Sequence, residues 1–531
     1  MRKFIFISFF LLLCSQIFAQ SKVINTYQNP VISKDFPDPS IIRVGDVWYA
    51  VGTSSEWAPY FPIMKSTDLV NWETIGSVFK NKTDLAEGNF WAPEFYQENG
   101  EYYVFYSARR KDKGGMCIGV ASSQNPAGPY KDGGVFLCDA NGSIDPYLFK
   151  DDDGKYYMIW KEDANSKNLP VTIWAQEFDL LKYKLLGEKF KLISNTETWE
   201  GTLVEAPCLV KKNGYYYLFY SAQGCCGQWC KYAMGVARSM SIKGNWEKYK
   251  SNPIVSENRF FKCAGHGTIT DDAKGRNFML YHAYNQLSGV SMGRQAVLDE
   301  IIWTEDNWVS LKFSQSPTAQ APVPFEGTIQ KSVSDYEENF SNTELPLVWQ
   351  TDFRNKPDYK LDSKNGGILL MADTNEGDSS SMAGSVMGIS PDAATFKFST
   401  ALTLDSTLKE VTRGLVYYGD SANFIALCYT NKQLELWRVV GNKKQIVQAA
   451  KLSAPFQNLH LQLTVTNGNR VKAFWSGDDV NWYKFYPIDA NGYLSAEGLA
   501  PWDRGMRAGF MVKNKVEKSG IFEYFKIQYS N

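Results

Sequence analysis

Histidine is scarce in this chain, and neither sign of charge is in excess. The 531 residues include three histidines, and 56 basic residues against 57 acidic residues leave a formal net charge of −1. So few histidines leave little material for catalysis by a histidine-activated nucleophile, and no serine-centred elbow motif is present. Without a basic surface, binding to nucleic acid or anionic lipid is disfavoured. The composition therefore favours a neutral substrate.

Long apolar runs are also missing. Arg2 and Lys3 precede an apolar core at residues 4–13, shorter than the roughly 20 residues that span a bilayer. A charged start followed by a short apolar core predicts a signal peptide over residues 1–19, cut after Ala19, and thus export to the periplasm or the medium without membrane insertion. Lipidation of Cys14 is the alternative.

Cysteine is too sparse to build a disulfide scaffold. Eight of the nine cysteines remain after the predicted cleavage, in a compartment that permits disulfides. Cys225, Cys226 and Cys230 form a cluster without a nearby histidine, and their spacing is poor for tetrahedral zinc. We expect at least one disulfide within this trio, either between the adjacent pair or through Cys230.

Five segments in the first 310 residues repeat one pattern, a glycine followed by an aromatic-rich apolar run. Aligned positions are separated by 54, 54, 60 and 61 residues: Trp48, Tyr102, Tyr156, Tyr216 and Asn277. Glycine supplies the positive φ that hairpin turns need, and aromatic residues favour the strand that follows. Repeats of this length predict a five-bladed β-propeller. A β-solenoid, whose rungs are much shorter, is the alternative.

The repeat ends after Trp308. The proline-containing start of residues 316–335 predicts a linker or a strap that wraps the propeller. Short alternating strands then resume and predict a β-sandwich. The chain is therefore expected to be all-β, with a propeller over residues 20–315, a linker over 316–335 and a sandwich over 336–531.

A short motif precedes each aromatic run, and four of the five motifs hold an acid close to a proline. They are FPDPS at residues 36–40, WAPE at 91–94, SIDPY at 143–147, VEAP at 204–207 and, without an acid, GHGT at 265–268. An isolated Asp-Pro pair is ordinarily a turn, but spacing that follows the blades should bring all five motifs to one end of the propeller axis. Converging carboxylates repel, so at least one should be protonated near neutral pH, as cleavage of a glycosidic bond requires.

The motif set resembles glycoside hydrolase family 43 in order and spacing over about residues 28–310. Gly293-Arg294-Gln295 and the segment WTEDNW at residues 303–308 continue the resemblance. The C-terminal part, with WQTDFR at 349–354 and GIFEYF at 520–525, is similar to the β-sandwich of that family's β-xylosidase and arabinofuranosidase members. The resemblance covers nearly all of the mature chain.

This resemblance implies roles for individual residues. Asp38 matches the general base that activates water, and Glu205 the general acid that protonates the leaving oxygen. Asp145 matches the third carboxylate, which orients the acid and tunes its pKa. Arg294 matches an arginine that contacts the sugar and a carboxylate, with a plain surface role as the alternative. Glu94 is expected only to line the axis.

Three further positions follow from the same resemblance. Trp91 and Phe36 resemble the apolar walls of the terminal sugar site, although core packing is the alternative for both. His266 matches a histidine that helps to hold a hydrated cation, often calcium, through water. A structural histidine between two glycines is the alternative there. No cofactor is required for the chemistry itself.

The expected activity is that of an exo-acting, inverting hydrolase that releases terminal α-L-arabinofuranosyl units from plant hemicellulose. A β-D-xylosidase with the same mechanism is the alternative. The appended sandwich favours exo action, since endo-arabinanases of the family usually lack it. A non-catalytic propeller that binds glycans is the alternative from another class, but all three acids are present.

Overall fold

The computed structural model describes residues 25–81, 83, 86–112, 114–325, 333–371, 381–404, 411–452, 457–485, 492–513 and 519–530. The predicted signal peptide lies outside the described residues. The expected all-β class is confirmed. Helical structure within these ranges is limited to three short 3-10 segments, Ala164–Lys167, Thr198–Glu200 and Val290–Met292. Of the described residues, none belongs to a helix long and apolar enough to cross a membrane.

Residues 40–311 form five four-stranded antiparallel sheets. Their strands, blade by blade, are Ser40–Val44, Val47–Val51, Tyr60–Ser66 and Glu73–Phe79; Trp91–Glu98, Glu101–Arg109, Met116–Ser123 and Lys131–Leu137; Ser143–Lys150, Tyr156–Glu162, Thr172–Asp179 and Lys184–Ser194; Val204–Lys212, Tyr215–Ala222, Ala233–Ser239 and Glu247–Lys248; Phe261–Asp271, Asn277–Asn285, Gln295–Trp303 and Val309–Leu311. The first strands of the five sheets contact one another in a closed ring. The predicted five-bladed propeller is therefore confirmed.

The aromatic runs form the second strand of each blade. In the fourth blade Leu218, Phe219 and Tyr220 have no exposed surface. Neighbouring blades pack on both faces of these strands, which is why they are apolar throughout instead of alternating. The hydrophobic core of the propeller thus lies between blades.

A two-stranded clasp joins the ends of the ring. Thr26–Gln28 pairs antiparallel with Gln320–Pro322, and the Asn29 side chain donates hydrogen bonds to the carbonyls of Leu298 and Thr318, each at 2.9 Å. Each blade is built from consecutive strands, so this clasp connects the chain before the first blade to the chain after the fifth. The first part of the predicted linker therefore runs as a strap along the propeller.

One residue near the start of each innermost strand has a left-handed backbone. These residues are Asp38 (φ 51°), Ala92 (φ 46°), Asp145 (φ 56°), Ala206 (φ 56°) and His266 (φ 47°). In the second to fifth blades, the pairing with the next strand shifts register at this residue. Residues other than glycine rarely adopt this conformation, and bulges that contain it re-aim side chains near functional sites. The kink is the local feature that presents the motif side chains to the axis.

The C-terminal region forms two packed antiparallel sheets, as predicted. One sheet contains Tyr336–Glu338, Asp358–Leu361, Ile368–Met371, Phe396–Thr403, Asn458–Thr466, Arg470–Ser476, Tyr483–Lys484, Leu494–Ser495, Ser519–Phe522 and Phe525–Tyr529; the other contains Gln350–Asp352, Ser385–Ile389, Thr412–Asp420, Asn423–Thr430, Gln433–Val440, Lys443–Lys451 and Arg507–Lys513. Inward-facing side chains of both sheets form the largest apolar cluster, which includes Phe398, Leu461 and Phe510. Alternate residues of Asn458–Thr466 are buried, the pattern of a strand with one face on a core.

The propeller and the sandwich share a sheet. Trp57–Ala58, in the first blade, pairs with Gln350–Asp352 and so extends the second sandwich sheet. Asp35 and Arg507 form an ion pair at 3.2 Å, with each side chain 3% exposed. These contacts place a sandwich loop over one side of the propeller mouth.

Candidate active site

Asp38, Asp145 and Glu205 line one cavity of about 410 Å³ at the propeller mouth. All three residues are buried, and only 5–8% of each is exposed. Asp38 and Asp145 occupy the left-handed position of the first and third blades. Glu205 precedes that position in the fourth blade by one residue, and the shift in strand pairing begins at Glu205. The structure therefore brings these three acids together in one cavity, as their spacing predicted.

Glu94 does not line this cavity, since it lies two residues beyond the left-handed position of the second blade. Its carboxyl accepts a hydrogen bond of 2.6 Å from the Ser40 hydroxyl. Burial raises the pKa of Glu94 to about 8, and the bond from Ser40 offsets only part of that rise. Glu94 is thus buried beside Ser40 of the first blade, outside the cavity that the other acids line.

Asp38 is held in its ionised form. Arg294 Nη1 donates to Asp38 Oδ1 at 2.7 Å, and the Thr53 hydroxyl donates to Oδ2 at 2.7 Å. Burial alone would raise the pKa of Asp38, but the charge of Arg294, followed by His266, holds this pKa well below its usual range. Asp38 is therefore a carboxylate at neutral pH.

Asp145 is in the opposite electrostatic situation. Its Oδ2 accepts a hydrogen bond of 2.9 Å from the Ala206 backbone N–H, one residue after Glu205. Burial raises the pKa of Asp145 to about 6, and the charge of Glu205 adds to the rise, whereas His266 and Lys161 oppose it. Asp145 thus titrates close to neutral pH and is tied to the backbone that carries Glu205.

Glu205 is oriented by two residues that the sequence did not reveal as functional. Lys161 Nζ donates to Glu205 Oε2 at 2.7 Å and lies 3.2 Å from Asp163. Tyr232, which is fully enclosed, also hydrogen-bonds to Glu205. Lys161 is 1% exposed at the end of an apolar strand. A lysine in that position was the available signal, because a buried lysine needs a charged partner.

His266 lies on the fifth blade at the rim of the cavity, with its Nδ1 3.5 Å from Asp38 Oδ1. His282 lies beneath it and accepts a hydrogen bond of 3.1 Å from the Asp38 backbone N–H. Burial lowers the pKa of His282 to about 4, helped by the charge of Arg294. A neutral His282 therefore fixes the backbone of Asp38.

The hydrated calcium beside His266 stays a prediction, and the donors around this residue limit how it could bind. Calcium takes six to eight oxygen ligands in proteins. Among the residues that the structure describes, no group of three His, Cys, Asp or Glu side chains could hold a metal ion. The side chains present therefore do not form a calcium cage, and a cation beside His266 would depend on water for its ligands.

The two predicted aromatic walls have different outcomes. Trp91 lines the cavity, and its indole N–H donates to Ser55 Oγ at 3.2 Å. Phe36 was expected as the second wall, but it is 1% exposed and belongs to a hydrophobic core cluster. A Cβ on Gly52 would lie 3.0 Å from the Phe36 ring, so the absence of a side chain at Gly52 is what lets this ring pack inward. Core packing is thus the role that its environment supports.

The sandwich completes the cavity with Trp502 and Asp503. The Trp502 ring meets Trp91 edge to face, with centroids 5.5 Å apart. Asp503 Oδ2 accepts a hydrogen bond of 2.7 Å from Ser55, and the Asp503 carbonyl accepts one of 3.0 Å from Arg294 Nη2. Arg294 is therefore buried between a propeller carboxylate and a sandwich carbonyl, and is not a surface residue.

The cysteine cluster contains the expected disulfide. Cys225 and Cys226 are bonded to each other, and Cys230 pairs outside the trio with Cys263. A third disulfide joins Cys117 to Cys138. Cys225 and Cys226 both line the active-site cavity.

Sequence comparison relates the chain to proteins named as glycosidases. The chain is 29% identical to a xylosidase/arabinosidase of Butyrivibrio fibrisolvens over 451 residues, which cover 78% of this chain and 81% of that protein. It is 28% identical to the non-reducing end α-L-arabinofuranosidase BoGH43B of Bacteroides ovatus, with 53% of each chain covered.

Solved structures show the same fold. The GH43 protein BlXynB of Bacillus licheniformis superposes with a TM-score of 0.81 at 23% identity, over 95% of this chain and 100% of that one. The model of the β-xylosidase C-terminal concanavalin A-like domain matches residues 337–528. The model of glycosyl hydrolases family 43 matches residues 27–309, more than half of the chain. The chain therefore belongs to glycoside hydrolase family 43.

Proposed function

We propose that this protein is an exo-acting, inverting glycosidase that removes a terminal α-L-arabinofuranosyl unit from plant hemicellulose. The observation that carries the proposal is the pair of carboxyl groups with opposite surroundings in one cavity. Asp38 is kept ionised by Arg294, whereas Glu205 on the fourth blade is the separate carboxyl, beside Asp145, which accepts from the Ala206 backbone N–H and has a pKa raised to about 6. Inverting hydrolysis needs an ionised base and a separate proton donor.

The roles follow from these contacts. Asp38 accepts a proton from a water molecule, whose oxygen attacks the anomeric carbon. Glu205 donates its proton to the glycosidic oxygen as the bond between that oxygen and the anomeric carbon breaks. Lys161 and Tyr232 fix the direction of the Glu205 carboxyl. Because water attacks opposite the leaving group, the product has the inverted anomeric configuration.

Exo action is supported by the way the sandwich covers the propeller mouth. Trp502 and Asp503 close one side of the cavity, so that it is a pocket for a chain end. A groove open at both ends would suit internal cleavage. On polysaccharide, the enzyme should release monosaccharide without shorter oligosaccharides accumulating.

A β-D-xylosidase is the second candidate. The matched C-terminal domain takes its name from β-xylosidases, and the Butyrivibrio relative is named for both sugars. Both sugars are pentoses, and the same three carboxyl groups would serve for either.

One experiment tests the class and chooses between the sugars. Rates are measured on 4-nitrophenyl α-L-arabinofuranoside and β-D-xyloside for the wild type, Glu205→Gln and the control Glu94→Gln. We expect Glu205→Gln to reduce the rate on the better substrate, whereas Glu94→Gln keeps it, because Glu94 lies outside the cavity. Proton NMR of the first product should show the inverted anomer. Equal rates for Glu205→Gln and wild type, or a retained anomer, would contradict the mechanism.

Export and calcium remain separate proposals. Disulfides such as Cys117–Cys138 suit an oxidising compartment, and N-terminal sequencing of the mature protein should begin at Gln20. A structural calcium near His266 would be found by metal analysis of protein purified without chelator, and the proposed chemistry does not use it.

A further inference from the structure

The bonded pair Cys225–Cys226 forms part of the active-site wall. Both residues are partly exposed and line the same cavity as the three acids. The mechanism above uses the carboxyl groups, Lys161 and Arg294, but gives this disulfide no part. A bonded pair of neighbouring cysteines in a catalytic cavity therefore needs its own explanation.

The disulfide lies on the Glu205 side of the cavity. It belongs to the loop between Tyr215–Ala222 and Ala233–Ser239 in the fourth blade, and Ser221, just before this loop, pairs directly with Glu205. Cys225 packs against the cluster that contains Tyr232, the residue hydrogen-bonded to Glu205. The disulfide therefore belongs to the same blade as Glu205 and lines the same cavity.

The loop is anchored to the fifth blade and contacts the sandwich. The disulfide Cys230–Cys263 ties its end to the fifth blade. The Gly227 N–H donates to the Tyr284 hydroxyl at 3.2 Å, and Lys262 Nζ donates to the Gln228 carbonyl at 2.9 Å. A Cβ on Gly227 would lie 3.7 Å from Trp502, so the loop also reaches the sandwich. Such anchoring makes the disulfide a fixed surface.

The chemistry of this surface suits the apolar face of a sugar. Two bonded sulfurs carry no hydrogen-bond donor, and sulfur is soft and polarizable. Asp38 lies on the first blade and Glu205 on the fourth, so a sugar beyond the leaving oxygen lies on the Glu205 side. We propose that the Cys225–Cys226 disulfide is the binding surface for the sugar on the leaving side of the cleaved bond. This inference rests on the proposed function and adds a determinant of leaving-group preference.

The test compares Cys225→Ala/Cys226→Ala with wild type on two substrates. One is a disaccharide whose non-reducing sugar is the preferred pentose, and the other is the fluoride of that pentose, which has no second ring. We expect kcat/KM to fall about tenfold on the disaccharide, as for loss of a small apolar contact, and to stay unchanged on the fluoride. Equal losses on both substrates, or no loss on the disaccharide, would overturn the proposal.

A matched control lies in the same loop. Trp229 is 86% exposed and does not line the cavity. Trp229→Ala should therefore leave both rates unchanged, which separates loss of the sulfur surface from a disturbed loop. A tenfold loss on the disaccharide in Trp229→Ala would assign the effect to the loop and overturn the proposal.

Reduction of the disulfide in the wild type provides a second measurement, made on the native sequence. A phosphine gives two electrons to the disulfide and becomes its oxide with oxygen from water, and the cysteines take up two protons. The treated wild type should lose activity on the disaccharide alone, whereas Cys225→Ala/Cys226→Ala should not change further. If the treated variant loses as much as the wild type, another disulfide is responsible and the proposal fails.

The proposed function and the proposed surface can fail separately. If the wild type cleaves neither substrate, the proposed function is wrong, and calorimetric binding of the disaccharide then decides the role of the disulfide. Weaker binding in Cys225→Ala/Cys226→Ala supports the surface. Unchanged binding of the disaccharide contradicts the proposed surface.

Discussion

Asp38 and Asp145 begin from nearly the same local structure and end in opposite electrostatic states. Each stands before a proline at the left-handed position of its blade, with φ of 51° and 56°. Arg294 bonds directly to Asp38 and holds its pKa well below the usual range, whereas burial raises the pKa of Asp145 to about 6. This difference in pKa shows that the repeat determines where a carboxyl group lies. Neighbouring residues from other blades determine whether it is charged.

The largest difference between the two positions is expected in kcat/KM when each carboxyl charge is removed. Asp38→Asn should lower kcat/KM by about 10²–10⁴-fold or more, because general base catalysis contributes on that scale. Asp145→Asn should lose less, since its amide oxygen can still accept the Ala206 N–H. Steady-state rates on the better nitrophenyl glycoside measure both, with circular dichroism as the folding control. A larger loss for Asp145→Asn would reverse the assignment.

Arg294→Met should raise the pKa of Asp38 toward that of Asp145. Without the guanidinium, burial acts on Asp38 unopposed by its nearest charge, so the pKa of Asp38 rises. We expect the acidic limb of the kcat/KM profile to move to higher pH, with activity partly recovered in alkaline buffer.

Arg294→Lys is the matched control, because it keeps a positive charge near Asp38. Its acidic limb should lie closer to that of the wild type. An acidic limb that stays in place in Arg294→Met would show that Arg294 acts only through its bond to the sandwich.

The smallest expected effect is on the free energy of unfolding. Its dependence on pH should have opposite signs for the two acids. The pKa of Asp145 is raised to about 6, so its contribution to folding is complete below its unfolded pKa of about 4 and is lost as pH rises through 6. The depressed pKa of Asp38 gives a contribution present above about 4 and lost as pH falls.

Urea unfolding of wild type, Asp145→Asn and Asp38→Asn across about pH 2 to 7 measures these contributions. Relative to Asp145→Asn, the wild type should lose free energy of unfolding as pH rises through about 6. Relative to Asp38→Asn, the wild type should instead lose free energy of unfolding as pH falls. Parallel curves for the wild type and both variants would mean that neither pKa differs between the folded and unfolded states.

The repeat made the propeller and the meeting of the three acids predictable. A fixed interval between motifs places them on equivalent strands, whatever lies between. It could not place Phe36, because an aromatic residue beside a motif has the same sequence pattern whether it faces a cavity or a core. Residue spacing also overlooked the kink, which brings Glu205 into the cavity and leaves Glu94 outside it, although both are motif acids.

The partners of the acids were beyond the reach of the motifs. Lys161 stands at the end of a second strand, where the sequence reads as buried apolar structure. Trp502 and Asp503 come from a loop more than 290 residues after Glu205 in the chain, and no local pattern connects the two. Such residues become functional through tertiary contacts alone.

The position of Arg294 has a consequence for how this protein can change over evolutionary time. Its guanidinium joins Asp38 of the propeller to the Asp503 carbonyl of the sandwich, so both domains hold one cation in the active site. A recombination that replaced the sandwich would leave a buried cation without one of its partners inside the active site. The loop of the C-terminal domain is therefore part of the active site, and a replacement domain would have to supply a new partner for Arg294.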